Sequence, residues 1–322
     1  MNFFIIIFAI CFAFIQFASG KHSNNWAVIL DTSRFWFNYR HTANALAIYR
    51  SVKSLGIPDS QIVLMIQDDV ACDPRNPTPG CVRNNPHKVV DLYGTDIEVD
   101  YRGYEVTPEN LIRVLTGRVS PSAPSSQRLN TDESSNILFY ITGHGGAEFI
   151  KFQDDSELSS QDLADAFAQM HKMKRYNEIL FVIETCQADT LGNAIKSPNI
   201  ITLASSAAGE NSYSRHMDMD IGVYVSDRFS HAAHEFLSFM TPDSKMPLSE
   251  FFKICPLEEC HSHVINRLKD FERPIQNVLV TDFFGSVRNV NSLGHFGYES
   301  VSSNATLLRA IDVRAFDQLL KS

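Results

Sequence analysis

Two short stretches carry side chains that could work together on a carbonyl group. In "ILFYITGHGG" an apolar run ends and His144 follows; in "ILFVIETCQA" a second run ends and Cys186 follows. A thiol near its free pKa is only partly thiolate at neutral pH, and a neighbouring imidazole activates it. The same imidazole can then protonate a departing amine. Gly143, Gly145 and Gly146 surround the histidine. Without a Cβ they let the backbone turn sharply and let a substrate carbonyl come close. The backbone N–H of Gly145, or that of Cys186, would then face the developing oxyanion. Alone, Cys186 reads as a buried inert cysteine and His144 as a satisfied loop histidine. Paired at two matched strand ends, they read as nucleophile and as general base and acid.

The fold must bring those ends together. The runs at 26–30, 62–66, 137–141, 179–183, 200–204 and 278–280 are apolar on both faces, as parallel strands covered on each side by helices are. Helical patterns lie between the early ones. Residues 44–56 end on a glycine, 107–117 open with Thr-Pro and end on a glycine, and 159–173 open with a serine cap and an acidic first turn. This alternation predicts an α/β fold, a mainly parallel six-stranded sheet with helices on both faces. A single helical pattern separates the His144 run from the Cys186 run, which predicts neighbouring parallel strands about 4.8 Å apart. Functional groups gather where such strands end at their carboxyl edge.

The N-terminal run at 3–15, followed by Ala18-Ser19-Gly20, predicts a secretory leader over 1–20, although it lacks a positive n-region. A catalytic domain is expected over 21–290 and a tail over 291–322. In that tail Leu308, Ile311, Ala315, Phe316 and Leu319 share one helical face. No later run reaches the roughly 20 apolar residues of a membrane span, so the chain is expected to be soluble or held to a membrane by partners. A net charge of −9 argues against nucleic acid as a partner. Of the six cysteines, Cys11 lies in the leader; the others are Cys72, Cys81, Cys186, Cys255 and Cys260. Their odd number implies a free thiol or an intermolecular bridge in an oxidising compartment. Cys255 and Cys260, in "CPLEEC", can close a short loop. Cys72 and Cys81, flanking "DPRNPTPG", could do the same, which leaves Cys186 over. With His261 and His263 the "CPLEECHSH" stretch could be imagined as a zinc site, but its spacing is not pair-and-pair, and a disulfide beside surface histidines is the better reading. Asn304-Ala305-Thr306 is a glycosylation sequon.

"YITGHGG" followed by "ETCQA" resembles the His and Cys blocks of legumain-type cysteine peptidases, and among them the catalytic subunits of glycosylphosphatidylinositol (GPI)-anchor transamidases. The similarity runs almost unbroken from 24 to 287 and includes "NNWAVILDTSRFWFNYRHTANALAIYRSVKSLGIPDSQIVLM", "DIEVDYRGYEV", "SNILFYITGHGGAEFIKFQD" and "VLVTDFFGSV". It implies a caspase-like fold, Cys186 as nucleophile, and His144 as base and acid. Asn38, in "FWFNY", matches the position that orients the histidine; its sequence context alone gives it a loop-capping role. The resemblance also implies a structural Ca²⁺ site at Asp59, the Ile62 carbonyl, Glu98 and Asp100, hard oxygen donors that suit this ion. Read without it, "EVD" is a solvated strand edge. No cofactor is implied for the chemistry itself. Cys72 matches a cysteine that bridges to a partner subunit, with Cys81 as a local alternative. Glu184 stands where the family usually has Asp, and the C-terminal membrane span of many relatives is not found.

The activity so implied belongs to the lumen of the endoplasmic reticulum, on the membrane through a complex. Cys186 would attack the carbonyl at the attachment residue of a proprotein and release its C-terminal signal. The ethanolamine-phosphate amine of the GPI lipid would resolve the thioester. The implied partners are the other transamidase subunits, the proprotein and GPI. An asparaginyl endopeptidase of the legumain type uses the same dyad and is the nearest rival; a non-catalytic scaffold subunit is the rival from another class.

Overall fold

The computed structural model describes residues 22–87, 90–153, 155–268 and 270–287. The leader, the Asn304 sequon and the apolar stripe from Leu308 to Leu319 lie outside these residues. In chain order the strands are β1 (Asn24–Asp31), β2 (Ile62–Ile66), β3 (Tyr101–Arg102), β4 (Ser135–Thr142), β5 (Gly145–Gly146), β6 (Phe149–Phe152), β7 (Ser156–Ser159), β8 (Glu178–Glu184), β9 (Ile200–Ala204), β10 (Ser214–Asp218), β11 (Val223–Asp227) and β12 (Ile265–Arg267). The main helices are α1 (Tyr39–Ser54), α2 (Pro108–Leu115), α3 (Ser160–Lys172) and α4 (Arg228–Ser238).

The central sheet has seven strands in the order β12-β9-β8-β4-β1-β2-β3, parallel except for β12. Strand β4 lies between β1 and β8, in register with both: Asp31 pairs with Thr142, and Thr142 with Glu184. The three carboxyl ends therefore stop in one row. The strands are apolar on both faces because both faces are covered. Ala27 and Ile29 turn to a core shared with α1 and α4, and Val28 and Leu30 to one shared with α2 and α3. Phe139 and Phe181 stack at 4.7 Å on the second side, with the Phe167 ring of α3 edge-on to both. Full burial of each such side chain contributes about 1.5–3 kcal/mol.

Five of the six expected strands form, and the sheet is completed differently from the expectation. Val278 and Val280 are buried, yet 278–280 makes only an isolated bridge, Pro247 with Leu279, before the short helix Thr281–Phe284. The two valines plug the core beneath α1 and do not extend the sheet. Short polar edges, β3 and β12, take the outer places. Helix α1 starts at Tyr39, five positions before the expected 44, because Tyr39, His41 and Thr42 are buried where the helix meets the strand ends. Caps on α2 and α3 match the sequence. Thr107 Oγ1 accepts from the Asn110 N–H, and Ser159 and Asp162 form a capping box.

Candidate active site

His144 lies two residues past Thr142 and Cys186 two residues past Glu184. The register of β4 on β8 thus carries the imidazole and the thiol to matching positions on adjacent strands. The pairing continues beyond the strands, with Gly143 N–H donating to the Glu184 carbonyl at 3.3 Å. Both side chains are half-buried, and Cys186 is a free thiol.

Asn38 sets the imidazole. Its Nδ2 donates to the Arg34 carbonyl at 2.6 Å, which fixes the amide so that Oδ1 meets His144 Nε2 at 2.8 Å. A carbonyl oxygen only accepts, so Nε2 carries the proton and Nδ1 is the basic nitrogen. One end of the amide thus holds the loop and the other meets His144. The His41 ring packs edge-on against His144 with centroids 5.0 Å apart, and its Nδ1 bonds Ser33 Oγ at 2.7 Å. Burial, then Arg40 and His144, push His41 well below the usual imidazole pKa, although its Nε2 lies 3.6 Å from Asp227 Oδ2.

The glycines of "GHGG" serve a different purpose from sharp turning: none of the three has a positive φ. A Cβ on Gly145 would sit 2.6 Å from Thr185 Oγ1 and 2.8 Å from the Phe149 carbonyl. The His144 loop is thus pressed against the residue preceding Cys186, and β5 pairs Gly145 and Gly146 with β6.

A loop after β9 holds the Cys186 segment from behind. Ser206 Oγ donates to the Thr185 carbonyl at 2.7 Å and accepts from Ala188 N–H at 3.1 Å; the Ser206 carbonyl accepts from Asp189 N–H at 3.0 Å. Gln187, directly after Cys186, is left-handed at φ 53°, held by its N–H to the Glu210 carbonyl at 2.8 Å. Sequence reading missed Ser206, His41 and Glu210, since their roles come from tertiary contacts with no spacing signal.

Three carboxyl groups are buried beneath the strand ends: Asp31, Glu184 and Asp227. Glu184 accepts from Ser230 N–H at 2.9 Å and Ser230 Oγ at 2.7 Å, and also from Ser212 Oγ. Burial, then the nearby Asp227 charge, raise it to about 7. Asp31 is likewise raised to about 7, chiefly by burial. Asp227 is raised by burial and held back by Arg40, whose Nε lies 3.1 Å from it. Glu184, two residues before Cys186, thus ties β8 to the first turn of α4.

The expected calcium donors are all oxygen. Asp100 Oδ2 accepts from Leu64 N–H at 2.9 Å, whereas its Oδ1 is buried without a hydrogen-bond partner. Burial, then Glu98 and Asp59, raise the Asp100 pKa to about 7. That donor chemistry fits a hard cation. Asp59, however, is paired with Lys53 at 2.9 Å, and among the described residues no three His, Cys, Asp or Glu side chains gather round one point.

Cys255 and Cys260 form a disulfide, as expected from "CPLEEC". Cys72 and Cys81 are both unpaired, and Cys72 is exposed.

The Peptidase C13 family model matches residues 25–281. The chain is 54% identical over 275 residues to a GPI-anchor transamidase of Homo sapiens, covering 85% of this chain and 70% of that protein. It is 55% identical over 271 residues to a GPI-anchor transamidase of Saccharomyces cerevisiae, covering 84% of this chain and 66% of that one. A crystal structure of Caspase-1 from Spodoptera frugiperda overlays with a TM-score of 0.46 at 12% identity, covering 82% and 91% of the two chains.

Proposed function

The chain belongs to the Peptidase C13 family, and we propose that it is the catalytic subunit of a GPI-anchor transamidase. Cys186 gives its proton to His144 Nδ1, and the thiolate attacks the carbonyl at the attachment residue of a proprotein. The negative charge on the tetrahedral oxygen faces the backbone N–H of Gly145 or Cys186. The His144 imidazolium then protonates the leaving amine, the C–N bond breaks, and a thioester remains on Cys186. The ethanolamine-phosphate amine of GPI attacks that thioester, His144 takes its proton, and the thiol is released. Asn38 keeps Nε2 protonated throughout, so Nδ1 alone carries protons to and fro.

The observation that carries this reading is the shared register of β4 and β8, with Asn38 fixed on the far side of His144. The names of the relatives supply the acceptor; the dyad alone suits water as well. The chain works in a complex in the lumen of the endoplasmic reticulum, with partner subunits that hold it at the membrane. Among the described residues no helix is long and apolar enough to cross a bilayer. A structural Ca²⁺ would be held by Asp59, the Ile62 carbonyl, Glu98 and Asp100 and takes no part in bond making.

The test uses the complex purified from membranes. Cys186→Ala and His144→Ala should each abolish capture of the thioester by hydroxylamine and leave subunit assembly intact. The double variant should be no worse than either single one, because the two act as a unit. Substantial GPI attachment by either single variant in cells with no other copy would overturn the assignment.

A further inference from the structure

The residue after Cys186 has an unfavourable backbone. Gln187 sits at φ 53° and ψ 32°, a left-handed conformation that a Cβ disfavours. Such a conformation persists where surrounding contacts impose it. Those contacts come from one short loop, 206–210. Its first residue, Ser206, donates through Oγ to the Thr185 carbonyl at 2.7 Å. At its last residue, the Glu210 carbonyl accepts from Gln187 N–H at 2.8 Å. Gly209 N–H donates to Gln187 Oε1 at 3.2 Å. The two peptide units that flank Cys186 are therefore gripped by the two ends of this loop. A peptide unit is planar and trans, so holding the Thr185 carbonyl also fixes the Cys186 N–H that points the opposite way.

The loop takes its shape from Glu210. Its N–H donates to the Ala207 carbonyl at 3.1 Å, and its Oε2 accepts from Ala207 N–H at 3.2 Å. These bonds close the turn, with Gly209 at φ 81°. His263 holds the same carboxylate from outside. Its backbone N–H donates to Oε2 at 2.7 Å, and its ring Nδ1 meets Oε1 at 2.5 Å. An ionised carboxylate only accepts, so Nδ1 carries the proton. Hydrogen bonds to an ionised acceptor are the stronger kind. The His263 N–H, then its ring, lower the Glu210 pKa. His263 is itself anchored: the preceding residue, Ser262, donates through Oγ to the buried Ser205 carbonyl at 2.7 Å. Just before it, the chain is closed by the Cys255–Cys260 disulfide.

We propose that His263 and Glu210 are positioning residues for Cys186. His263 fixes the Glu210 carboxylate, Glu210 fixes the loop, and the loop sets the thiol against His144 and aims the Cys186 N–H at the oxyanion. The inference rests on Cys186 as the nucleophile of the proposed reaction and holds whether water or an amine resolves the thioester. The His263 side chain is 57% exposed. An exposed pair of this kind adds little to stability, so its removal separates positioning from folding.

The test uses the intact complex, a donor peptide and hydroxylamine as acceptor. Glu210→Ala should lower kcat by about tenfold or more, since a misplacement of about 1 Å can cost about a hundredfold. His263→Ala should lower it in the same direction, with KM for the donor peptide and Tm close to wild type. Alkylation of Cys186 by iodoacetamide, read by mass spectrometry on the peptide that contains it, should slow in both variants. His263→Asn, whose amide N–H takes the place of Nδ1–H, should restore kcat and alkylation. Because the two residues act in series, the double alanine variant should be no slower than Glu210→Ala. Wild-type kcat and alkylation in both single variants overturn the inference, as do additive losses in the double variant. A fall in activity that tracks only the loss of folded complex, with Cys186 alkylation unchanged, assigns the pair to stability and also overturns it. Full transfer after Cys186 has been alkylated overturns the nucleophile reading itself, and the inference with it.

Discussion

Asn38 acts on His144 through an atom chosen by its own backbone contact. Because Nδ2 is spent on the Arg34 carbonyl, only Oδ1 is left for the ring. A carboxylate in that place would favour the imidazolium, since an opposite charge nearby stabilises the charged form. Asn38→Asp should therefore move the acid limb of the kcat/KM profile to higher pH, by about 1–3 units. A limb at the wild-type position would show that Asn38 does not face the titrating base. Glu184 gives a second pH dependence. Its ordinary carboxyl pKa is raised to about 7 in the native state, with burial as the main cause. Between the two values the unfolded chain loses the proton while the native state keeps it, so stability falls as pH rises through that window. Asp31 acts in the same direction. Glu184→Gln should flatten the fall by roughly 1–3 kcal/mol, read from denaturant midpoints at pH 5 and pH 7.5. An unchanged slope would remove Glu184 as a contributor. At this scale the placement of Cys186 and His144 past the ends of adjacent strands was legible in the sequence, because a strand end is visible as an apolar run that stops. His41 and Ser206 were not, because a ring packed on a ring and a serine behind a loop leave no periodic trace.

Among the elements, long strands were legible and short ones were not. β1, β4 and β8 are apolar on both faces, so composition alone marks them. β3 and β12 contain only Tyr101–Arg102 and Ile265–Arg267 and owe their pairing to neighbours already in place. The hairpin β10–β11 is half-exposed and polar, and its register, with Met217 opposite Tyr224, follows from tertiary packing. Val278 and Val280 misled because a buried apolar triplet reads alike in a strand and in a plug. The β2–β3 edge also carries the calcium question. Asp100, just before β3, leaves one buried oxygen unpaired, and a buried polar atom without a partner costs about 1–3 kcal/mol. Ca²⁺ would satisfy it and bind only the native state. Calcium at one hundred times its dissociation constant should then add about 2.7 kcal/mol to unfolding, seen as a rise in Tm that EGTA reverses and Asp100→Asn abolishes. Equal Tm values in calcium and in EGTA would refute the site.

For the whole molecule the open question is attachment to a complex, and the cysteines bear on it. Cys255 and Cys260 are joined, Cys186 is free at the candidate site, and Cys72 and Cys81 remain. The loop between Cys72 and Cys81 is closed by hydrogen bonds, and both thiols are free. Asn76 Nδ2 donates to the carbonyls of Val70, Ala71 and Cys81, and Gly80 N–H donates to Ala71. These bonds hold the loop in its present course with both thiols unpaired. The two thiols also differ in setting. Cys81 is half-buried, its thiol pKa raised by burial and then by Asp91, whereas Cys72 is exposed, its thiol pKa raised by Asp69. A raised pKa slows spontaneous oxidation, so a bridge at Cys72 depends on a partner cysteine being brought to it by docking. We therefore expect an intermolecular disulfide at Cys72 in the assembled complex. Non-reducing electrophoresis of the membrane-derived complex should give a high-mass band containing this chain. Reductant should collapse it to the monomer, and Cys72→Ser should remove it while Cys81→Ser leaves it in place. Monomer mobility without reductant, with a Cys72–Cys81 peptide recovered on digestion, would establish the local bridge instead. Retention in the complex would then rest on non-covalent contact alone, and Cys72→Ser would leave co-purification of the other subunits at the wild-type level.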